Sequence, residues 1–246
     1  MAEHIVSSYD NDLQGLRRRI SEMGGIAEKM LVESIAALVR HDKALAQTVI
    51  SADSRLDVLQ REVEESAILT IARRQPLAVD LRETISAIRV SGDVERIGDL
   101  AKNIAKRALA IGGEFQPQKI VVGLQHMSDL VLGQLKDVLD AYSQQDTAKA
   151  VDVWKRDGAI DALYTSLFRE LLTYMMEDPR NISFCTHLLF CAKNIERIGD
   201  HTTNIAETVH YLVTGQSLGG ERPKGDRTST IGQDAEPDPS SRELTS

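Results

Sequence analysis

Aromatic side chains make up only 4% of this chain, and that scarcity bears first on fold class. Strands lean on aromatic and β-branched residues to cover a pleated face, so a core built mainly from Leu, Ile, Val, Ala and Met favours helices over a β-sandwich. Cysteine is nearly absent. The two thiols, Cys185 and Cys191, fall within one helical pattern, where six residues of separation put them roughly 9 Å apart along the axis and on different faces, which argues against a disulfide between them. No apolar run approaches the roughly 18 residues that a membrane span needs. The first ten residues include Glu3 and Asp10 and no apolar stretch of the signal-peptide kind, so the expected compartment is the cytoplasm, with no insertion into a membrane. Basic charge is also short: 29 Lys and Arg stand against 37 Asp and Glu, a net charge of −8 that repels a phosphate backbone and speaks against nucleic acid as a partner.

Proline is the next scarcity. Of six prolines, Pro223, Pro237 and Pro239 lie near the C-terminal end, which leaves Pro76, Pro117 and Pro179 to punctuate everything before them. The proline-free segments carry helical periodicity: Leu13, Leu16, Ile20, Met23, Ala27 and Met30 recur at steps of three and four, as do Val49, Ala52, Leu56, Leu59 and Val63. Six helices are expected, over residues 8–40, 43–74, 77–112, 117–142, 146–177 and 180–213. Asp42 and Asp146 are suited to cap the second and fifth, because a short side-chain oxygen there can accept an orphan amide hydrogen. Short turns between long helices imply antiparallel neighbours.

The chain repeats itself. Residues 95–105 read ERIGDLAKNIA and residues 196–206 read ERIGDHTTNIA. Asp42 and Asp146, Asp53 and Asp157, and Asp57 and Asp161 share one offset; Pro76 and Pro179 share a slightly different one. An offset that holds within a helix and changes near turns is the residue of a duplication with loop insertions and deletions. The expected fold is therefore all-α: two tandem pseudo-symmetric three-helix bundles of antiparallel long helices, over residues 1–113 and 114–214. Residues 215–246 are rich in Gly, Ser, Pro and charge, and are expected to form a disordered tail because they cannot bury enough apolar surface to offset their ordering entropy.

The repeat places acidic residues in a pattern. Positions i and i+4 lie on one stripe of a helix, so Glu95, Asp99 and Asn103 align, and Glu196, Asp200 and Asn204 form their copy. Residues facing each other across an antiparallel hairpin are centred on its turn. Asp57 with Glu95, and Asp53 with Asp99, are both centred on Pro76; Asp161 with Glu196, and Asp157 with Asp200, are both centred between Asp178 and Pro179. Each bundle is expected to bring four carboxylates level. Asp53 and Asp57 follow the seam residues Ala52 and Leu56, so the cluster should flank the core, on a groove or surface. Four carboxylates with an asparagine alongside suit a hard cation or a small carboxylate-bridged cluster, with magnesium, calcium, manganese, iron and zinc all open on chemistry alone. The plain alternative is a solvated acidic face neutralised by Arg96 and Arg197. Gly98 and Gly199 each cost helix stability of about 1 kcal/mol, which a close approach by a neighbouring helix or ligand would justify.

Paired ERIGD-x-x-x-N-I segments, each preceded by an acidic D-x-x-x-D helix, resemble the PhoU family of phosphate-signalling proteins, and the resemblance covers about residues 8–213. It implies two three-helix bundles with acidic motifs matching Asp53 and Asp57, Glu95 and Asp99, Asp157 and Asp161, and Glu196 and Asp200, all intact here. It further implies metal ions at these motifs, of iron, zinc, manganese or magnesium; Asn103 and Asn204, on the same stripes, are additional candidate ligands from their spacing. The implied role is that of a negative regulator of phosphate uptake and phosphate-starvation genes. It would act as a homodimer and adaptor between the ATPase of a phosphate ABC transporter and a sensor histidine kinase, with no chemistry of its own.

Rival readings have weaker residues behind them. A carboxylate-bridged bundle with a redox or storage role needs two Glu-x-x-His motifs facing inward, and only Glu207 to His210 is found. His201 turns roughly 100° from Asp200, as expected of a surface histidine or at most an auxiliary ligand. Cys185, His187 and Cys191 match no usual zinc spacing, and no G-x-x-x-x-G-K-[ST] loop is present. A metal-free helical adaptor whose acidic grooves take basic protein segments is the third class.

Overall fold

The computed structural model describes residues 2–111 and 118–219, the side chains of residues 2–10 excepted. Six α-helices follow one another: α1 Ala2–Arg40, α2 Lys43–Arg74, α3 Val79–Ala110, α4 Gln118–Gln144, α5 Thr147–Glu177 and α6 Ile182–Thr214, the last entered through a 3-10 turn at Pro179–Asn181. No strand occurs among the described residues. The all-helical expectation holds, and helix ends move by two residues or so except at α1, which begins earlier. The boundary placed at residue 113 and the tail from residue 220 onward lie outside the described residues.

Local chemistry accounts for the ends. Asp42 Oδ1 accepts from the Leu45 amide at 2.9 Å, and Asp146 Oδ1 from the Lys149 amide at 3.0 Å, so both expected caps are in place. Pro76 lacks a donor and keeps its predecessor out of right-handed helix; Gln75 sits at φ 48 and α3 starts only at Val79. Gly215, at φ 73, closes α6 by donating its amide to the Tyr211 carbonyl at 2.9 Å.

Helices α1, α2 and α3 pack on one another, as do α4, α5 and α6; α3 against α6 and α1 against α4 join the two groups. One apolar cluster runs through all six, from Leu16, Ile20 and Met23 through Leu56 and Ile97 to Ile120, Leu188 and Ile205. The seam of α2 departs from expectation at one position. Asp53 is buried and Ala52 only partly so. From Val49 a step of four reaches Asp53 and a step of three then reaches Leu56, so the periodicity is satisfied with an acid in the core stripe. Helix α5 does the same with Asp157 between Val153 and Ile160.

The two ERIGD glycines sit where helices touch. A Cβ on Gly98 would lie 2.2 Å from Leu56 Cδ1, and one on Gly199 3.0 Å from Ile160 Cδ1. These contacts hold α2 against α3, and α5 against α6, at the level of the acidic motifs. Gly92, on the same helix as Gly98, has nothing within 4 Å of an added Cβ. Gly92→Ala should therefore raise the urea midpoint, since alanine is worth up to about 1 kcal/mol in a helix. Gly98→Ala should lower it, with a loss of about 1–3 kcal/mol in stability, because the Leu56 side chain that an added Cβ would meet is fully buried. Equal gains from both substitutions would show that the α2–α3 contact is not tight.

Candidate functional site

The structure brings the acidic residues together as the hairpin spacing required. Asp53 and Asp57 project from α2, Glu95 and Asp99 from α3, Asp157 and Asp161 from α5, and Glu196 and Asp200 from α6. One ammonium, Lys102 Nζ, donates to both Asp53 Oδ2 and Asp99 Oδ1, so these two carboxylates stand at one level across α2 and α3. Glu95 feels the charges of Asp99, Asp57 and Asp53; Glu196 feels those of Asp200 and Asp161. Each bundle thus holds a carboxylate quartet. Asn204 does not complete one: its Nδ2 donates to Asp93 Oδ1 at 3.4 Å, across the α3–α6 seam, and Asn103 is exposed on that seam too.

The quartets lie deeper than a groove. Asp53, Asp157, Asp161 and Glu196 are 7%, 3%, 5% and 5% exposed, while Asp57, Glu95, Asp99 and Asp200 are half-buried. Buried carboxylates need charge compensation or a proton. Of the expected neutralisers only Arg96 contributes, and weakly. Arg96 reaches Glu95 and Asp99 only at 3.5 Å from a side chain that is 65% exposed, and Arg197 is exposed with no ion pair among the described residues. The compensation comes from two lysines that sequence reasoning missed: Lys102, and Lys193, whose Nζ donates to Glu196 Oε1 at 2.8 Å and sits 4.8 Å above the Tyr164 ring. Their spacing was the available signal, because Lys102 follows Asp99 by three residues and Lys193 precedes Glu196 by three, both within helical reach.

The lysines occupy opposite ends of the quartets. Lys102 serves the Asp53–Asp99 level, whereas Lys193 serves the Glu196 level of the other bundle. Where the repeat would put a second Lys102 the chain has Thr203, whose hydroxyl donates to Asp157 Oδ1 at 3.2 Å. The duplication preserved the acids and moved the cation.

The electrostatics follow. Burial pushes the Glu95 carboxyl up, and Asp99 adds to it, with Arg96 opposing and Asp57 and Asp53 contributing further. Burial also raises Glu196; the hydrogen bond from Lys193 opposes, and Asp200 and Asp161 push the same way as burial. For Lys102, burial works against the ammonium, but its hydrogen bonds to Asp53 and Asp99, and their charges, outweigh it and hold the proton more firmly. In the first quartet Lys102 and the more exposed Arg96 do not balance four carboxylates, and in the second the buried Glu196 Oε2 has no hydrogen-bond partner. Residual negative charge and an orphaned oxygen are features that a cation would satisfy. As the side chains stand, no group of three or more His, Cys, Asp and Glu among the described residues is placed to hold a metal ion.

The rival motifs are spent on structure. Glu207 Oε1 accepts from the Trp154 indole at 3.0 Å and His210 Nδ1 meets the Gln216 carbonyl at 3.0 Å. Cys185 and Cys191 are buried free thiols, burial pushing Cys191 up to about 12. His201 is half-buried, with Nδ1 2.8 Å from Asp93 Oδ1, and helps join α6 to α3.

Known proteins share this fold. A family model described as PhoU domain matches residues 20–108 and again 124–209, once in each half of the chain. The phosphate-specific transport system accessory protein PhoU homolog of Rhizobium meliloti (strain 1021) is 60% identical over 229 residues, covering 93% of this chain and 97% of that protein. The homolog of the same description from Caulobacter vibrioides (strain NA1000 / CB15N) is 52% identical over 226 residues, covering 92% and 98%. The crystal structure of PhoU from Pseudomonas aeruginosa superposes with a TM-score of 0.82 at 38% identity, over 85% of this chain and 100% of that one. The phosphate transport system regulatory protein PhoU from Streptococcus pneumoniae gives 0.79 at 28% identity, over 86% and 100%.

Lys102 is the most accessible test of this electrostatic arrangement. Lys102→Met leaves Asp53 and Asp99 facing each other without their shared cation, and should cost about 2–4 kcal/mol in urea denaturation at neutral pH. Adding Asp53→Asn should recover a good part of that loss, since the stranded charge is then removed. A loss below about 0.5 kcal/mol, the size seen for exposed pairs, would show that Lys102 does not hold the quartet.

Proposed function

From the premise that the chain belongs to the PhoU family, we propose that it represses phosphate-starvation signalling and restrains phosphate uptake by docking to partner proteins. Members of this family are regulatory accessory proteins of phosphate transport, and the chain is one of them and not an enzyme. The observation that carries the reading is the 60% identity to a phosphate-specific transport accessory protein over nearly the full length of both chains. The finer assignments are ours: the ATPase of a phosphate ABC transporter on one side, a cytoplasmic sensor histidine kinase domain on the other, and a homodimer as the acting unit. No helix among the described residues is long and apolar enough to cross a membrane. A carboxylate-bridged protein with a redox or storage role is not favoured, because the relatives named above are transport accessory proteins.

The same proposal includes cations at the carboxylate quartets: iron, zinc, manganese or magnesium at Asp53, Asp57, Glu95 and Asp99, and at Asp157, Asp161, Glu196 and Asp200. Support comes from the four carboxylates of the first quartet, which outnumber the cations that reach them, and from the unpartnered Glu196 Oε2 of the second. Such ions would tie α2 to α3 and α5 to α6 at one level. Their contribution is structural, setting the shape that partners meet.

A docking regulator acts only where its partners are present. Deleting the gene should switch on phosphate-starvation genes in phosphate-rich medium, and supplying the intact chain should silence them. Deleting the cognate sensor kinase as well should abolish the activation. Normal repression in the single deletion, in a strain with no second copy of the family, would contradict the proposal.

A further inference from the structure

The seam between α3 and α6 carries two cavities that the repeat relates to one another. One, of about 320 Å³, is lined by Asn103, Lys106, Arg107 and Ala110 of α3 and by Phe190 and Asn194 of α6. The other, of about 390 Å³, is lined on α6 by Asn204, Glu207, Thr208 and Tyr211, with Arg89 of α3 opposite. Aligning the two ERIGD segments sets Asn103 on Asn204, Lys106 on Glu207, Arg107 on Thr208 and Phe190 on Arg89. The cavities are thus copies in position that differ in charge. The second balances Arg89 with Glu207, and Arg89 lies 5.5 Å from the Tyr211 ring.

The first cavity holds two cations and no acid. Asn103, Lys106, Arg107 and Ala110 recur at steps of three and four, which puts them on one face of α3, and Phe190 and Asn194 form the facing pair on α6. Lys106 and Arg107 enter no salt bridge among the described residues, in a chain whose net charge is −8. Arg107 is held in place: its guanidinium lies 4.4 Å from the centroid of the Phe190 ring, and Nη1 is 3.4 Å from His187 Nδ1. Stacking fixes the plane of the guanidinium and leaves in-plane N–H donors for a ligand, the arrangement that suits two-pronged contact with a phosphoryl group. Phe190 is 47% exposed, a large aromatic left at the mouth of a cationic cavity.

We propose that this cavity is a binding site for a phosphoryl-bearing anion, with Arg107 and Lys106 on the charge and the Asn103 and Asn194 amides as further donors. Its volume is at the small end of ligand pockets and fits a phosphate or a nucleoside monophosphate better than a peptide. The site is separate from the carboxylate quartets and does not depend on a partner protein, so it stands or falls independently of the regulatory proposal.

Titration calorimetry on the full chain at constant ionic strength tests it, using inorganic phosphate, AMP and adenosine as probes. Binding of inorganic phosphate or AMP, and none of adenosine, is the expected result. Lys106→Gln, a change at an exposed position, and Arg107→Gln should each weaken binding about tenfold or more, while Arg89→Gln in the other cavity should leave it unchanged. The His187 ring protons give a second readout in the wild-type chain. Burial and the nearby Arg107 hold this imidazole below its usual pKa, and a bound anion should raise it. Equal affinity for phosphate and AMP assigns the site to the free anion; tighter AMP binding that Phe190→Leu reduces to the phosphate level assigns it to a nucleotide. No binding of either phosphoryl probe at 10 mM, about the weakest affinity worth calling a site, or binding that both Lys106→Gln and Arg107→Gln leave intact, overturns the proposal.

Discussion

Burying a carboxylate between helices is costly unless something answers its charge, and this chain does it at Asp53, Asp157, Asp161 and Glu196. The architecture around them serves that constraint. Gly98 and Gly199 let α3 and α6 come close to α2 and α5 at the acidic level. Lys102 and Lys193 bring ammonium groups to carboxylates, and Thr203 brings a hydroxyl where the repeat has no lysine. Apolar packing gives each bundle its stability; the buried acids give it a register, because sliding α2 along α3 by one turn would part Asp53 from Lys102, the cation it shares with Asp99.

Pseudo-symmetry supplies the frame and its breaking supplies what is particular. The halves share caps at Asp42 and Asp146, glycine contacts and all eight acidic positions. They differ in where the internal lysine sits and in the charge of the two seam cavities. Two substitutions that break the repeat, Thr203 for Lys102 and Glu207 for Lys106, fall on the faces of α3 and α6 that meet the quartets or the seam. A duplicated helix can diverge there without disturbing its apolar stripe.

Much of this was legible in the residues. Proline placement and three–four periodicity located the helices, and the constant offsets gave the duplication. The centring of Asp53 with Asp99 on Pro76 placed them at one level, where Lys102 now joins them. What periodicity could not decide was rotation about the helix axis. Steps of three and four run through Ala52 or through Asp53 alike, and an apolar preference chose the wrong one. The same preference overlooked Lys102 and Lys193, since a lysine near acids reads as surface charge unless the helix is already known to turn inward. Asn103 and Asn204 share a stripe with the acids, yet one further turn past Asp99 and Asp200 carries them onto the α3–α6 seam.

The proposed cations rest on an imbalance: the four carboxylates of the first quartet outnumber the cations that reach them. The most direct measurement is a series of thermal melts of chelator-stripped protein with increasing manganese chloride. The wild type is compared with a variant carrying Asp57→Asn, Glu95→Gln, Asp161→Asn and Glu196→Gln. Glu95 and Glu196 have carboxyls raised in the folded state, so their contribution to stability is present at low pH and is lost as pH rises through the folded pKa. The metal-free variant should consequently melt higher than the metal-free wild type at neutral pH. The wild-type midpoint should climb with metal concentration, as ligand linkage requires, and the variant should not respond. A wild-type midpoint indifferent to metal, or an equal rise in the variant, would contradict the account.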